Sequence, residues 1–267
     1  MLRIYNQNIW GNYAETEAVA NRNQLLLELI SQEQPDICTL QECNPNTSRV
    51  LEGGVQNLLK DTYLEVVPEE WERNFTPVFY KKDKFNLIDG GFQIYTGEHY
   101  DRSKSVTWAV LEEKQTGKRI GVASTHFWFK HIDESDIRQR EDNAKTLTEV
   151  CENMQRVYQV PVIACGDMNH GICSRSKEDM PYKAMLQQGF QDVRFTAKES
   201  TDCPTVHHYP VRNAEGIYTE GDLPLSTIDY IMTYGEQPLP AESFRVRTDY
   251  KALVSSDHCP MIADFTL

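Results

Sequence analysis

Residues 162–169 read Val-Ile-Ala-Cys-Gly-Asp-Met-Asn. The first four form a short apolar run that reads as a buried strand, and a carboxylate and an amide follow it at once. The same arrangement recurs along the chain. Asn8 follows Leu2–Gln7, Gln41-Glu42 follows Ile37–Leu40, and Thr125-His126 follows Ile120–Ser124. Asp229 lies within Thr227-Ile228-Asp229-Tyr230-Ile231, and Ser256-Asp257-His258 leads into the last apolar run. Loops at the ends of strands, held by a rigid sheet, are where catalytic groups tend to sit. A single Asp after a strand is ordinarily a turn or a helix cap; it is the joint pattern that points to a site.

Outward from these runs the chain reads as strands with a few helices between them. Residues 2–8 and 37–40 are strand-like. Between them, residues 15–33 space Ala18, Leu25, Leu26, Leu29 and Ile30 as an amphipathic helix that Pro35 stops. Residues 47–60 offer a second helix weakened by Gly53 and Gly54. Strands are expected at 62–67, 76–81, 85–95, 104–113 and 119–127, broken by turns such as Asp89-Gly90-Gly91 and Thr116-Gly117. A helix over 136–156 puts Ala144, Leu147, Cys151 and Met154 on one face, and a shorter one near 178–188 ends at Gly189. Strands at 227–233, 244–248 and 260–266 finish the chain. This is not strict β-α-β alternation. It predicts two stacked sheets with helices on the outer faces. With no repeat or linker in the sequence, residues 1–267 are expected to form one domain.

Composition narrows the function. The hydrophobic and charged fractions, 40% and 25%, are ordinary for a globular protein, and no run approaches the roughly 18 apolar residues of a membrane span. Met1 passes directly into Leu2-Arg3-Ile4-Tyr5 without the apolar core of a signal peptide, so the expected compartment is the cytoplasm. The seven cysteines show no CxxC pair and read mostly as small buried hydrophobes. With 40 acidic and 27 basic residues the net charge is −13. A long polyanion meets net repulsion unless a local patch reverses the field. A metal site with a small substrate fits better, acting in an expected monomer.

Chemistry makes the strand-end set coherent. Cleaving a phosphoester needs an attacking water, charge stabilisation on the phosphoryl oxygens and help for the leaving oxygen. Mg²⁺ supplies much of that stabilisation through one or two carboxylates and several waters. Glu42 offers such a carboxylate. Asp167 can orient or deprotonate the water, and the amide of Asn169 can hold water or a phosphoryl oxygen. His126 and His258 can donate to the phosphate, with Asp229 pairing His258 to fix its tautomer and raise its pKa.

At these residues the sequence resembles the endonuclease/exonuclease/phosphatase superfamily, whose type is deoxyribonuclease I. The resemblance runs from Asn8 to His258 and rests most on Leu40-Gln41-Glu42, Gly166-Asp167-Met168-Asn169 and Ser256-Asp257-His258, with Thr125-His126 and Ile228-Asp229-Tyr230 in support. It implies an α+β fold: a four-layer α/β/β/α sandwich of two stacked mixed β-sheets flanked by helices. It also implies Mg²⁺ or Mn²⁺, with Glu42 as principal ligand, Asn8 beside it, and Asp257 near the metal or orienting it. Asp167 and Asn169 become the water-activating and water-positioning pair, His126 a phosphate contact, and Asp229 the partner of His258. Members that cut abasic DNA commonly carry Asp two residues after the first-strand Asn; here Trp10 stands there. Segment 104–109, Lys-Ser-Val-Thr-Trp-Ala, and the pair His207-His208 resemble a branch of bacterial hydrolases and nocturnin-like deadenylases.

Substrate contacts are further expected at Trp10, His207, His208 and Arg140, although Arg140 also reads as a solvated helix position and the histidines as surface loop residues. Trp10, Phe127, Trp128, Phe129 and Tyr209 either line a pocket for a compact organic group or are plain core and surface aromatics. The expected substrate is a phosphorylated small molecule or a lipid-type head group. A nuclease is the alternative within the same chemistry, as are a lipid phosphodiesterase and a sugar- or inositol-phosphate phosphatase. A catalytically dead binding scaffold is the alternative of another class, opposed by a competent residue type at every core position. A serine or cysteine hydrolase lacks the GxSxG elbow or a persuasive Cys/His pair.

Overall fold

The computed structural model describes residues 1–11, 16–45, 54–67, 73–170, 180–201, 203–207, 211–212, 218–220 and 226–267. Two mixed sheets organise them. The seven-stranded sheet runs in the order β10 (Glu199–Thr201), β14 (Ala241–Val246), β15 (Met261–Phe265), β1 (Leu2–Asn8), β2 (Ile37–Gln41), β4 (Val78–Lys81), β3 (Tyr63–Glu65). The six-stranded sheet runs β5 (Phe85–Ile94), β6 (Ser105–Glu113), β7 (Arg119–His126), β8 (Val162–Asp167), β13 (Asp229–Tyr234), β9 (Phe190–Asp192). A short ribbon pairs β11 (Val211–Arg212) with β12 (Tyr218–Glu220). The helices are α1 (Thr16–Glu33), α2 (Val55–Leu59), α3 (Glu134–Tyr158), α4 (Met180–Gln187), α5 (Val193–Thr196) and α6 (Tyr250–Ser255).

The central strands of both sheets are covered on both faces, which is why their sequences are near-continuous apolar runs. Successive side chains go to opposite layers. Leu2 and Ile4 join Ile163, Cys165, Val122 and Ile231 in the layer between the sheets. Tyr5 faces the other way, with Leu26, Leu29 and Ile30 of α1, Leu59 of α2 and Ala252 of α6. On the far side, Val162 and Ala164 of β8 and Ala123 of β7 pack under Leu147, Cys151 and Met154 of α3 and Met185 of α4. Three apolar interfaces therefore separate four layers, α/β/β/α. Each fully buried aliphatic side chain in them contributes roughly 1.5–3 kcal/mol.

Local chemistry sets the ends of the elements. Helix α3 starts where the Asp133 carboxylate accepts from the Ser135 and Asp136 amides, and it stops at Gln159, which adopts φ +54°. Helix α4 gives way at Gly189, φ +98°, as the sequence predicts. The helix expected over 47–60 is present as α2; residues 46–53 lie outside the described set. The elements not anticipated are β9, α5, β10, the β11–β12 ribbon and α6. Five of the six described cysteines are buried; Cys203 is half-buried. Among the described residues no helix is long and apolar enough to cross a membrane.

One feature of the topology positions the site. Each sheet has a parallel pair at its centre: β1 with β2, and β7 with β8. All four strands end on the same side of the molecule. Between the sheets the packing turns polar toward that end. Gln41 Nε2 donates to Asn6 Oδ1 at 2.9 Å and to Ser124 Oγ at 3.1 Å, and Ser124 Oγ donates to the Leu40 carbonyl at 3.2 Å. These bonds tie one sheet to the other just beneath Glu42 and His126.

Candidate active site

Register brings the strand-end residues together. His126 pairs with Asp167 across β7–β8, Asp167 with Asp229 across β8–β13, and Asn8 with Gln41 across β1–β2, so Glu42 follows immediately. His258 precedes β15, the other neighbour of β1. Ser256 Oγ fastens that segment by donating to the Asn8 carbonyl at 2.7 Å, and Gln7 Nε2 donates to the His258 carbonyl at 3.0 Å.

Asp167 is the hub. Its Oδ2 accepts from Asn8 Nδ2 at 3.0 Å and stands 3.3 Å from His126 Nε2 and 3.9 Å from His258 Nε2; its Oδ1 accepts from the Asn169 amide at 2.9 Å. Burial penalises its charge, but His126, His258 and Lys104 outweigh that and hold the carboxyl well below the usual carboxylate range. The Asn169 side chain donates to the Phe127 carbonyl at 2.9 Å. His258 Nδ1 lies 2.9 Å from Asp229 Oδ2, which also accepts from Thr205 Oγ1 at 2.6 Å. Burial works against a charged imidazole there, yet Asp229, Asp257 and Asp167 together carry His258 well above its ordinary range. Asp257 is pushed up to about 6, by burial first and by the field of Glu42, with His258 opposing.

Glu42 differs from the others. Its Oε1 is 4.0 Å from His126 Nε2, while Oε2 is buried with no hydrogen-bond partner. A buried carboxylate oxygen without a donor is costly unless a cation takes its charge, so Glu42 fits a hard divalent metal. Asn8 fits less directly, because its Nδ2 serves Asp167 and its Oδ1 already accepts from the Trp10 amide at 2.9 Å. Among the described residues, two groups of His and Asp side chains also bring ligand atoms within 4.8 Å of one another and are capable of coordinating a divalent ion: Asp167, Asp229 and His258 in this site, and His99, Asp133 and Asp136 near the start of α3. In the second group the carboxylates already hold the Ser135 and Asp136 amides, Trp128 Nε1 and the Ile132 amide.

The remaining expected contacts divide. Trp10 is half-buried beneath the Arg22 guanidinium, 4.7 Å from the ring centroid. His207 is buried beside the site; its amide donates to the Asp257 carbonyl at 2.9 Å. His208 and Tyr209 lie outside the described residues. Arg140 is not the solvated helix position the sequence suggests. It is buried, and its guanidinium donates to the Lys130 carbonyl, which braces the start of α3 against the preceding loop. Phe127 is fully buried in the α3 interface, and Trp128 is buried with its ring stacked on His99 at 4.8 Å. Phe129 alone of these three is exposed, at 41%.

Segment 104–109 holds a further group, Lys104, that the strand-end pattern in the sequence does not mark. In the structure Lys104 is buried, with Nζ 2.6 Å from His126 Nε2 and 5.1 Å from the Phe129 ring centroid. Burial lowers its pKa, while Glu42, Asp167 and Asp101 act the other way. Its signal in the sequence was faint: a lysine at the start of a strand that pairs with the one carrying His126.

A family model described as Endonuclease/Exonuclease/phosphatase family matches residues 6–258. None of the curated proteins matches the chain. Among solved structures, an endonuclease/exonuclease/phosphatase from Bacteroides vulgatus is 23% identical with a TM-score of 0.72, over 100% of this chain and 98% of its own. A mannosyl-6-phosphatase from Bacteroides thetaiotaomicron is 18% identical with a TM-score of 0.71, over 100% of both chains. The human Nocturnin catalytic domain with a bound sulfate anion is 20% identical with a TM-score of 0.66, over 99% of this chain and 94% of its own. At these identities the likeness bears on the fold.

Proposed function

We propose a reaction on the premise that the chain belongs to the endonuclease/exonuclease/phosphatase family, whose model spans residues 6–258. The chain is a metal-dependent hydrolase of phosphoester bonds. The finer reading is hydrolysis of a small phosphorylated metabolite or a lipid-type head group with Mg²⁺ or Mn²⁺. One observation carries the metal-dependent reaction: Glu42, from one sheet, presents a buried oxygen without a donor close to the His126–Asp167 pair of the other.

In this reading Glu42 is the main metal ligand, with Asn8 and Asp257 beside it. When bound, the metal neutralises charge on the phosphoryl oxygens and lowers the pKa of water. Asp167 is ionised throughout the neutral range. A carboxylate held so low is a weak proton acceptor, so it orients the water and takes the proton only as the new P–O bond forms. Asn169 keeps that carboxylate in place through its amide and positions the water. His258 stays charged because Asp229 holds Nδ1, which leaves Nε2 as a donor to the developing negative charge. His126 stands beside the same Asp167 oxygen, with Nε2 3.3 Å from Oδ2.

The substrate class rests on charge and shape. With 40 acidic against 27 basic residues, a long polyanion gains little from counterion release. Trp10 and the exposed Phe129 offer ring surface for a compact group. A panel of phosphomonoesters, phosphodiesters and duplex DNA, each with Mg²⁺ and with chelator, tests this. Small phosphoesters should be turned over faster than the duplex, and duplex binding should lack a steep salt dependence. Nanomolar duplex binding, or DNA nicking at physiological salt that Glu42→Ala eliminates, would make the enzyme a nuclease instead.

A further inference from the structure

Lys104 is delivered to the site by a tight turn. Asp101 Oδ1 accepts from the Ser103 amide and hydroxyl, each at 2.8 Å, and the Asp101 carbonyl accepts from the Lys104 amide at 2.9 Å. The next residue, Ser105, is the register partner of His126. The lysine side chain then runs inward until its ammonium rests between the His126 imidazole and the Phe129 ring face. Among the described residues no carboxylate comes within 4.0 Å of Nζ; Glu42, Asp167 and Asp101 act on it only through their field. An ammonium withdrawn from water and held by an imidazole and a ring is an expensive arrangement, justified when an anion completes it.

Lys104 Nζ lies 2.6 Å from His126 Nε2 and 3.3 Å from Nδ1, and an ammonium has only donors. The short contact occupies Nε2. The competing contact, to Asp167 Oδ2, is longer at 3.3 Å. An ammonium has more donors than this imidazole takes up, so protons remain on the lysine for an anion.

We propose that Lys104 is a further substrate-binding residue, whose ammonium donates to a non-bridging oxygen of the phosphoryl group, and that His126 acts through it as a positioning residue. This rests on the phosphoesterase reading and specifies which group grips the phosphoryl oxygens. It also gives Phe129 a role, because a ring face beside the ammonium stabilises the cation without neutralising it.

The test uses orthophosphate as the probe and the full chain freed of metal by chelator, with calorimetry for wild type, Lys104→Met and Lys104→Arg. Removing the charge should weaken phosphate binding about tenfold or more, the loss of one charge-assisted hydrogen bond; the arginine variant should stay within a few-fold of wild type. Wild type alone supplies a second readout that does not depend on a variant folding: the Lys104 side-chain ammonium signal in NMR should shift saturably with orthophosphate. Undiminished binding by a folded Lys104→Met, a signal that ignores phosphate, or no phosphate binding by wild type contradicts the assignment. Mg²⁺-dependent hydrolysis together with phosphate binding indifferent to Lys104 overturns this inference alone. Lys104-dependent phosphate binding with no hydrolysis of any phosphoester overturns the reaction and leaves the lysine assigned.

Discussion

Trp10, Glu42 and Asn169 share a backbone conformation that side chains seldom adopt, with φ of +50°, +54° and +50°. Each lies one or two residues past the end of a strand, β1, β2 or β8. Such strain costs on the order of 1–3 kcal/mol per residue and persists only where the surroundings impose it. Here they do: Asn8 Oδ1 holds the Trp10 amide, Asp167 Oδ1 holds the Asn169 amide, and the Cys43 amide after Glu42 donates to the Phe75 carbonyl. The turn at Glu42 brings Oε1 within 4.0 Å of His126 Nε2, whereas Trp10 packs beside Val254 and Leu25 beneath Arg22; residue types alone do not give either placement. The Asp229–His258 pair makes the sharpest prediction at this scale. Asp229→Ala and His258→Ala should each lower kcat by roughly 10²-fold or more, and the double variant should be scarcely worse than His258→Ala, because the carboxylate acts through the imidazole. Steady-state rates that add strictly across the cycle would break the pair. The motif residues were legible because each follows an apolar run in the sequence. Lys104 and Arg140 were misjudged or missed because their surroundings come from residues distant in sequence or across a loop: His126 and Phe129 for one, the Lys130 carbonyl for the other.

The parallel strand pairs do the positioning, and β7–β8 depends on a glycine. Gly166 has φ +155°, and a Cβ there would lie 2.0 Å from the Thr125 carbonyl oxygen, whose strand must come that close for His126 to reach Asp167. Gly166→Ala is expected to destabilise the fold by on the order of 2 kcal/mol or more and to lower activity beyond the loss of folded protein. Thermal unfolding together with the rate at a temperature where the variant is fully folded checks this; an alanine variant equal to wild type in both would refute the account of the strand pair. Long elements were readable from periodicity, and their ends fell within a few residues: α3 was expected over 136–156 and spans Glu134–Tyr158. The short ones escaped for a physical reason. Helix α6 has six residues, too few for a 3.6-residue repeat to emerge, and β10 is a fully exposed three-residue edge strand with no alternation to detect.

At the scale of the whole molecule, two stacked sheets with helices on their outer faces were readable because strands covered on both faces leave continuous apolar runs while helices leave a stripe; the four-layer description came with the family resemblance. The order of strands within each sheet was not readable, since hydrophobicity reports how deeply a strand is buried and not which strand lies beside it. That order is what matters for function. It sets the two parallel pairs end to end across the inter-sheet core and brings Glu42 of one sheet to the Asp167–His126 pair of the other. The net charge of −13 opposes long-range attraction of a polyanion to the molecule as a whole. In the proposed reaction, hydrolysis needs a cation held by Glu42. The most direct measurement is Mg²⁺ binding by calorimetry alongside phosphoester turnover, for wild type and Glu42→Gln, with circular dichroism to confirm the fold. The variant should keep its fold, lose most of its Mg²⁺ affinity and lose activity as completely as wild type does in chelator. Turnover that survives both the substitution and the chelator would contradict the account.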